Sequence, residues 1–261
     1  MKAASLPVGR RLGKQVPKID KRTLRLADFL RVPAVAPLPC PPERDWGSAL
    51  HGQWPMLGND RMGCCTVTAL AHLLICQARN DGRELVIDEE QVSDVYAEAT
   101  GYDPVTGVHD NGAAMLDILK YAQQVGIGGV KIGPYLALES RNHAHLMTAC
   151  NLFGGVYLGL ALPATAQAEV GDTWLYPEAS AGVSGEPWSW GGHAVGSFGY
   201  SPQKLTCITW AVEQALSWPF LDRYCDEAYA VLSAEWTGPD GKAPSGLDVA
   251  ALEAALERVR S

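Results

Sequence analysis

Apolar positions along the chain fall into two textures, one before and one after Gly126. From Cys65 onward nearly every residue is apolar: Val67, Leu70, Ala71, Leu74 and Ala78 recur at helical spacing, and Ala69, Leu73 and Ile75 cover the other faces. That pattern predicts a helix running to about Asn80 and buried on several sides. Asp81-Gly82 predicts a turn, and Asp88-Glu-Glu-Gln91 a capping box opening a second helix through about Ala99. Residues 101–107 read as loop. Asn111-Gly112 precedes a third helix over 113–125, with Met115, Ile118, Leu119 and Ala122 facing inward and Gly126 as its stop. Beyond it the pattern predicts one helix over 140–152. Strand-like runs then fall at 154–161, 194–200, 205–210 and 228–232, the later ones joined by short turns such as Ser201-Pro-Gln-Lys204. Helices first and strands second predict an α+β fold with an antiparallel sheet.

The two ends read differently. Seven prolines within residues 1–45 (Pro7, Pro17, Pro33, Pro37, Pro39, Pro41 and Pro42) prevent a long helix, leaving room for a short one over 21–30. This arm is basic: residues 1–28 carry eight Lys and Arg against Asp20 and Asp28, whereas the whole chain has a net charge of −8. A basic arm on an acidic body implies pairing with an acidic partner or with the body itself, and an acidic body excludes a nucleic-acid groove in the core. The arm reads as a docking or packing segment, or as a pro-segment that is removed. At the other end, residues 237–246 form a linker. Residues 248–260 then predict an amphipathic helix with Val249, Leu252, Leu256 and Val259 on one stripe.

No run of 18 apolar residues predicts a membrane span. No apolar stretch in the basic N-terminus predicts a secretory signal, which points to a cytoplasmic location. Seven cysteines without a regular framework suit free thiols better than disulfides. Their spacing offers no zinc site, and no cofactor is expected.

The chemistry concentrates at the start of the apolar helix. A thiol in its first turn sits near the positive end of the helix dipole and near unpaired backbone N–H groups. Both favour thiolate and predict a Cys65 pKa lowered into a range of about 3.5–7.5. His72 cannot be its base, since seven helical residues rise about 10.5 Å; it reads as a packed core histidine. His51, His109, His143 and His145 lie in polar stretches, where a solvated imidazole is the default. His193 follows Gly191-Gly192 and opens a run of small residues that lets other backbone approach closely.

The spacing Asn59-x5-Cys65, with Gly63 two before the cysteine, resembles the active-site loop of papain-like cysteine peptidases. In that family a Gln lies six residues before the nucleophile, on the N-terminus of a central helix. Gly191-Gly-His-Ala-Val-Gly-Ser-Phe-Gly-Tyr200 resembles the family's histidine strand, and His193 lies 128 residues after Cys65. The likeness spans residues 46–237. It implies a two-lobed fold, a helical lobe over 46–135 and a β lobe over 136–237, with a cleft between them. It implies a thiol hydrolase acting on a peptide or amide bond of a peptide or protein substrate: Cys65 attacks, His193 exchanges the proton, and Asn59 with the Cys65 N–H stabilises the oxyanion. The cleft would be lined by Gly63, Cys64, Asp110, Asn111, Gly112 and Gly192.

The sequence departs from the family where the imidazole is oriented. The family has Asn followed by Ser-Trp; here the stretch is Leu205-Thr-Cys-Ile-Thr-Trp210-Ala-Val-Glu-Gln214. Alignment places either Trp210 or Thr209 on that Asn. Thr209, Glu213 or Gln214 could hold the imidazole, and Trp210 could shield it from water. Thr66 stands where the family has Trp. These departures keep open a second reading, a weak or inactive scaffold serving assembly through the arm. Gly-Asn-Asp-x-x-Gly-x-Cys with a Thr-Trp strand also resembles phage and prophage proteins, which implies a virion role. The aromatics of residues 218–232 read as core.

Overall fold

A computed structural model of the chain describes residues 9–30, 40–238 and 240–249. The apolar run forms α2 (Cys65–Asn80), in which every residue from Cys65 to Ala78 is buried. Its helical neighbours are α3 (Glu89–Thr100) and α4 (Met115–Gln124). Asp88 caps α3 in a full capping box, its carboxylate accepting the Gln91 backbone N–H while the Gln91 side chain accepts the Asp88 N–H. Met115, Ile118, Leu119 and Ala122 of α4 are all buried, as their spacing predicts.

Against these helices lies one nine-stranded mixed sheet. Its strands are β1 (Leu24–Arg25), β2 (Arg44–Asp45), β3 (Ile132–Ala137), β4 (Val156–Leu162), β5 (Thr173–Trp174), β6 (Gly191–Tyr200), β7 (Lys204–Thr209), β8 (Val212–Ser217) and β9 (Cys225–Ser233). The order is β1-β3-β9-β4-β6-β7-β8-β5, with β2 added to the end of β6. Pairing is antiparallel from β3 to β8, and the two-residue edge strands β1 and β5 pair in parallel. All seven residues of β4 are buried, because strands flank it on both sides and side chains cover both faces. The α+β architecture is therefore as predicted. Helix α5 (His143–Phe153) precedes β4, and a short α6 (Trp218–Tyr224) links β8 to β9. The Trp218, Phe220, Tyr224 and Tyr229 side chains are buried in the core, consistent with the reading of the late aromatics, and Phe220 stacks on Trp174.

Two departures from the sequence reading have local causes. Strand β3 spans the lobe boundary placed at 135, because Gly133-Pro134 masks its alternation. Strand β8 and the β7–β8 hairpin escape detection because the turn is Trp210-Ala211, two non-glycine residues at positive φ (44° and 62°) where Asn-Gly is usual. The arm shows a four-residue α1 (Leu26–Phe29) within the stretch predicted as a short helix. Of the C-terminal helix predicted over 248–260, residues 250–260 lie outside the described residues, and Val249 of its stripe is buried. No helix among the described residues is long and apolar enough to cross a membrane.

Candidate active site

Two elements meet at the head of α2. Cys65 is its first residue, and the backbone N–H of Ala194 on β6 points at the Cys65 sulfur, as do those of Gly13 and Thr66. His193 is the residue before that Ala194, so the chain segments bearing thiol and imidazole are in contact. Across the sheet, Leu160 of β4 pairs with His193 and Gly159 with Ala194. His193 Nε2 and the Thr209 hydroxyl share a hydrogen bond of 2.7 Å, and Nδ1, also buried, makes none. The Trp210 indole lies flat on the imidazole, ring centroids 4.4 Å apart and planes 13° apart. The strained hairpin puts both residues there: Thr209 ends β7, and positive φ at Trp210 folds its ring back over β6.

Glu213 and Gln214, the alternatives to Thr209, bond elsewhere. Glu213 is half-exposed and pairs with His51 at 2.6 Å. The Gln214 side chain is buried in a knot of backbone bonds to Glu169, Gly171, Asp172 and Ala215. Cys64 is also corrected: its thiol turns into the core toward the Leu57 carbonyl and Thr68 hydroxyl, and burial pushes it up to about 12. Adjacent helix-entry positions point about 100° apart, so one faces the cleft and the other the core.

The other predicted cleft residues do come together. Asp110 Oδ1 accepts the Gly63 N–H at 2.9 Å and the Tyr96 hydroxyl at 2.7 Å, fixing the two cleft loops to each other. Asn111 and Gly112 present carbonyls toward the cleft, and Gly192 does so from the sheet side. His72 is a core histidine, its Nε2–H donating to the Pro55 carbonyl at 2.8 Å.

The sequence reading did not foresee what fills the cleft. Residues 9–15 of the arm run through it as an extended strand. Arg11 N–H donates to the Asn59 carbonyl, Lys14 N–H to the Gly192 carbonyl and Gln15 N–H to the Ala113 carbonyl, while Ala113 N–H donates to the Gly13 carbonyl at 2.7 Å. Asn59 Nδ2 donates to the carbonyls of Arg11 (3.2 Å) and Met62 (3.1 Å), and Trp210 Nε1 also reaches Arg11 O, at 3.3 Å. Beyond the cleft, Lys18 pairs with Asp117 and Asp20 with Lys120, and β1 joins β3. The acidic body is thus itself a partner of the basic arm.

The fit depends on Gly13. A Cβ there would lie 1.7 Å from the Gly63 carbonyl oxygen, so no other residue passes between the loops at that point. What Gly13 presents to the thiol is an N–H, its own carbonyl being held by Ala113. An amide donor at a nucleophile covers it without offering a carbon to attack.

Covering changes the electrostatics. Burial pushes the Cys65 thiol up to about 11, against the N–H groups of Ala194 and Gly13 and the Lys14 charge. The predicted lowering is overturned in this closed form, since desolvation outweighs the dipole. Burial also takes His193 down to about 3 and His72 to about 4. Both imidazoles stay neutral in the fold while the unfolded chain protonates them below about 6.5. Stability from this source is therefore complete above about pH 6.5 and is lost as pH falls toward 4 and 3, by a few kcal/mol for each imidazole. The urea midpoint should drop steeply between pH 7 and 4.5, and a flat profile there would contradict the buried neutral pair.

The fold with this cleft is papain-like. Comparison with solved structures finds similarity to xylellain, a cysteine protease from Xylella fastidiosa, at a TM-score of 0.61 and 14% identity, covering 89% of this chain and 100% of that one. Digestive procathepsin L 3 of Tenebrio molitor larval midgut is similar over 87% of this chain and 76% of that one, at a TM-score of 0.54 and 13% identity. The proform of the ragweed pollen cysteine protease Amb a 11 is similar over 78% and 67%, at a TM-score of 0.55 and 15% identity. At such identities the likeness is one of fold. No model of a known protein family matches the chain, and no curated protein matches it in sequence.

Proposed function

We propose that the chain is a thiol hydrolase of peptide or amide bonds, held closed by its own N-terminal arm. The observation that carries this reading is the juxtaposition of the Cys65 sulfur, the His193 segment and a peptide segment already lying against the thiol. Two of the structural neighbours named above are described as cysteine proteases, one of them in its proform, and the third as a procathepsin, which accords with a covered thiol enzyme.

With Nε2–H donating to Thr209 Oγ1, His193 Nδ1 carries the lone pair that a base needs. It takes the Cys65 proton as sulfur bonds to the scissile carbonyl carbon, and the oxygen becomes an anion. Asn59 Nδ2 and the Cys65 N–H, at the head of α2, are the donors for that anion. Asn59 already donates to one peptide carbonyl in the cleft, so its shorter side chain is long enough to reach a bound chain. The C–N bond breaks as imidazolium protonates the leaving amine. Water, deprotonated by His193, then cleaves the thioester and restores the thiol. Trp210 stacked on the imidazole keeps bulk water off the Thr209 hydrogen bond.

The second reading, an inactive scaffold, draws on the closed, neutral form of the thiol and imidazole. The test is hydrolysis of a fluorogenic peptide amide mixture by the full chain carrying Gly13→Ala. Turnover abolished by Cys65→Ala supports the enzyme. No turnover, with Cys65 accessible to alkylation, supports the scaffold. Within the site, Thr209→Val should lower kcat about 10-fold or more while Thr209→Ser keeps most of it, because only the serine retains the hydroxyl.

A further inference from the structure

Among residues 9–20 of the arm, Lys14 is the one buried in the body. Its ammonium is fully buried, 2.9 Å from Asp226 Oδ1 and 3.2 Å from Glu227 Oε1, and it donates to the Gln15 carbonyl at 3.1 Å. The Trp188 ring lies 4.9 Å from it, a cation–π distance. Space for the stem comes from Gly159 on β4: a Cβ there would lie 2.3 Å from Lys14 Cε, 2.6 Å from Glu227 Cγ and 2.7 Å from Met115 Sδ. The Tyr229 hydroxyl donates to the other Glu227 oxygen at 3.0 Å and fixes its direction. Without Lys14, Glu227 Oε1 is a buried acceptor with no hydrogen-bond donor and a second carboxylate beside it. Burial of that kind is costly unless a cation answers it.

The pocket adjoins the proposed chemistry. Gly159 pairs with Glu227 on one side of β4 and with Ala194, next to His193, on the other. Lys14 is also the residue after Gly13, whose N–H points at Cys65. A peptide side chain entering here belongs to a residue lying against the thiol.

We infer that Asp226 and Glu227, with Trp188 and the space left by Gly159, form a binding pocket for a lysine side chain. Lys14 fills it in the covered protein, and a lysine of the substrate fills it once the arm withdraws. The inference deepens the hydrolase reading and rests on it for the substrate, though the pocket itself is a matter of binding. Charge, fit and depth then make one device serve two ends, since the contact that closes the cleft also selects what replaces it.

The full chain carrying Lys14→Glu should expel the arm by like charge and expose Cys65 to alkylation. If Cys65 stays as protected as in the parent chain, the carboxylates do not hold Lys14 and the inference is overturned. Lys14→Met serves should the charged variant fail to fold. To this chain a fluorescent peptide, Gly-Arg-Arg-Leu-Gly-Lys-Gln-Val, is added and compared by anisotropy with the same peptide bearing leucine for its lysine. The lysine peptide should bind about 30-fold or more tightly, and Glu227→Gln or Asp226→Asn should erase most of that margin. Equal affinities, or a margin that neither substitution changes, overturn the pocket. Lysine-dependent binding without cleavage leaves the pocket standing and removes the hydrolase reading. Cleavage indifferent to lysine does the reverse.

Discussion

Gly13→Ala in the full chain should raise the rate at which iodoacetamide alkylates Cys65 by about 10- to 100-fold. The added Cβ would overlap the Gly63 carbonyl at 1.7 Å, and that oxygen belongs to backbone pinned by Asp110 through the Gly63 N–H. A flexible side chain could swing aside; this loop cannot without breaking its tie to Tyr96 and α3. Overpacking of this kind costs typically about 1–3 kcal/mol. Here the cost falls on the seated arm rather than on the core, so it appears as a larger open fraction. The buried thiols at 64, 76, 150 and 207 should keep their low reactivity, since each lies in the hydrophobic core. Peptide mapping of the alkylated chain reads the result. Uniform slow labelling, unchanged by the substitution, would show that the arm does not guard Cys65.

His193→Ala, added to that opened chain, should cut kcat/KM for peptide hydrolysis by about 10²–10⁴. The imidazole has two tasks in the proposed cycle, taking the thiol proton and returning it to the leaving amine. Three of the other histidines are held elsewhere: His72 is locked to Pro55 in the core, and His51 and His143 pair with Glu213 and Asp222. His193→Gln should lose nearly as much, because it restores volume and a hydrogen bond to Thr209 but cannot accept and release a proton. Retained activity in either variant would move the base elsewhere.

Much of this arrangement is legible along the chain. The unbroken apolar run after Cys65 marks a helix enclosed on all sides, and that enclosure makes its first residue a fixed point. The Gly-Gly-His strand marks the second fixed point. What periodicity cannot carry is which strand lies beside which, so the imidazole's partner stayed open among Thr209, Glu213 and Gln214. A Trp-Ala hairpin at positive φ resolves it, and nothing in local propensity announces such a turn. The arm was harder still. Its prolines and charges read as an extension, and the meaning of Leu12-Gly13-Lys14 emerges only when Gly63, Gly112 and Gly192 leave a channel of matching width. Asp226-Glu227, two carboxylates inside an apolar strand, was the available signal. Such a pair is rarely left buried without a cation.

The central claim is that the Cys65 sulfur and the His193 imidazole act as one ionisable unit once uncovered. It is tested most directly by the pH dependence of Cys65 alkylation in the Gly13→Ala chain, with and without His193→Ala. A coupled pair predicts a rate already on its plateau at about pH 6–7, shifting to the rise of an ordinary thiol near pH 8.5 when the imidazole is removed. The same profile in both chains, rising only in the alkaline range, would contradict it.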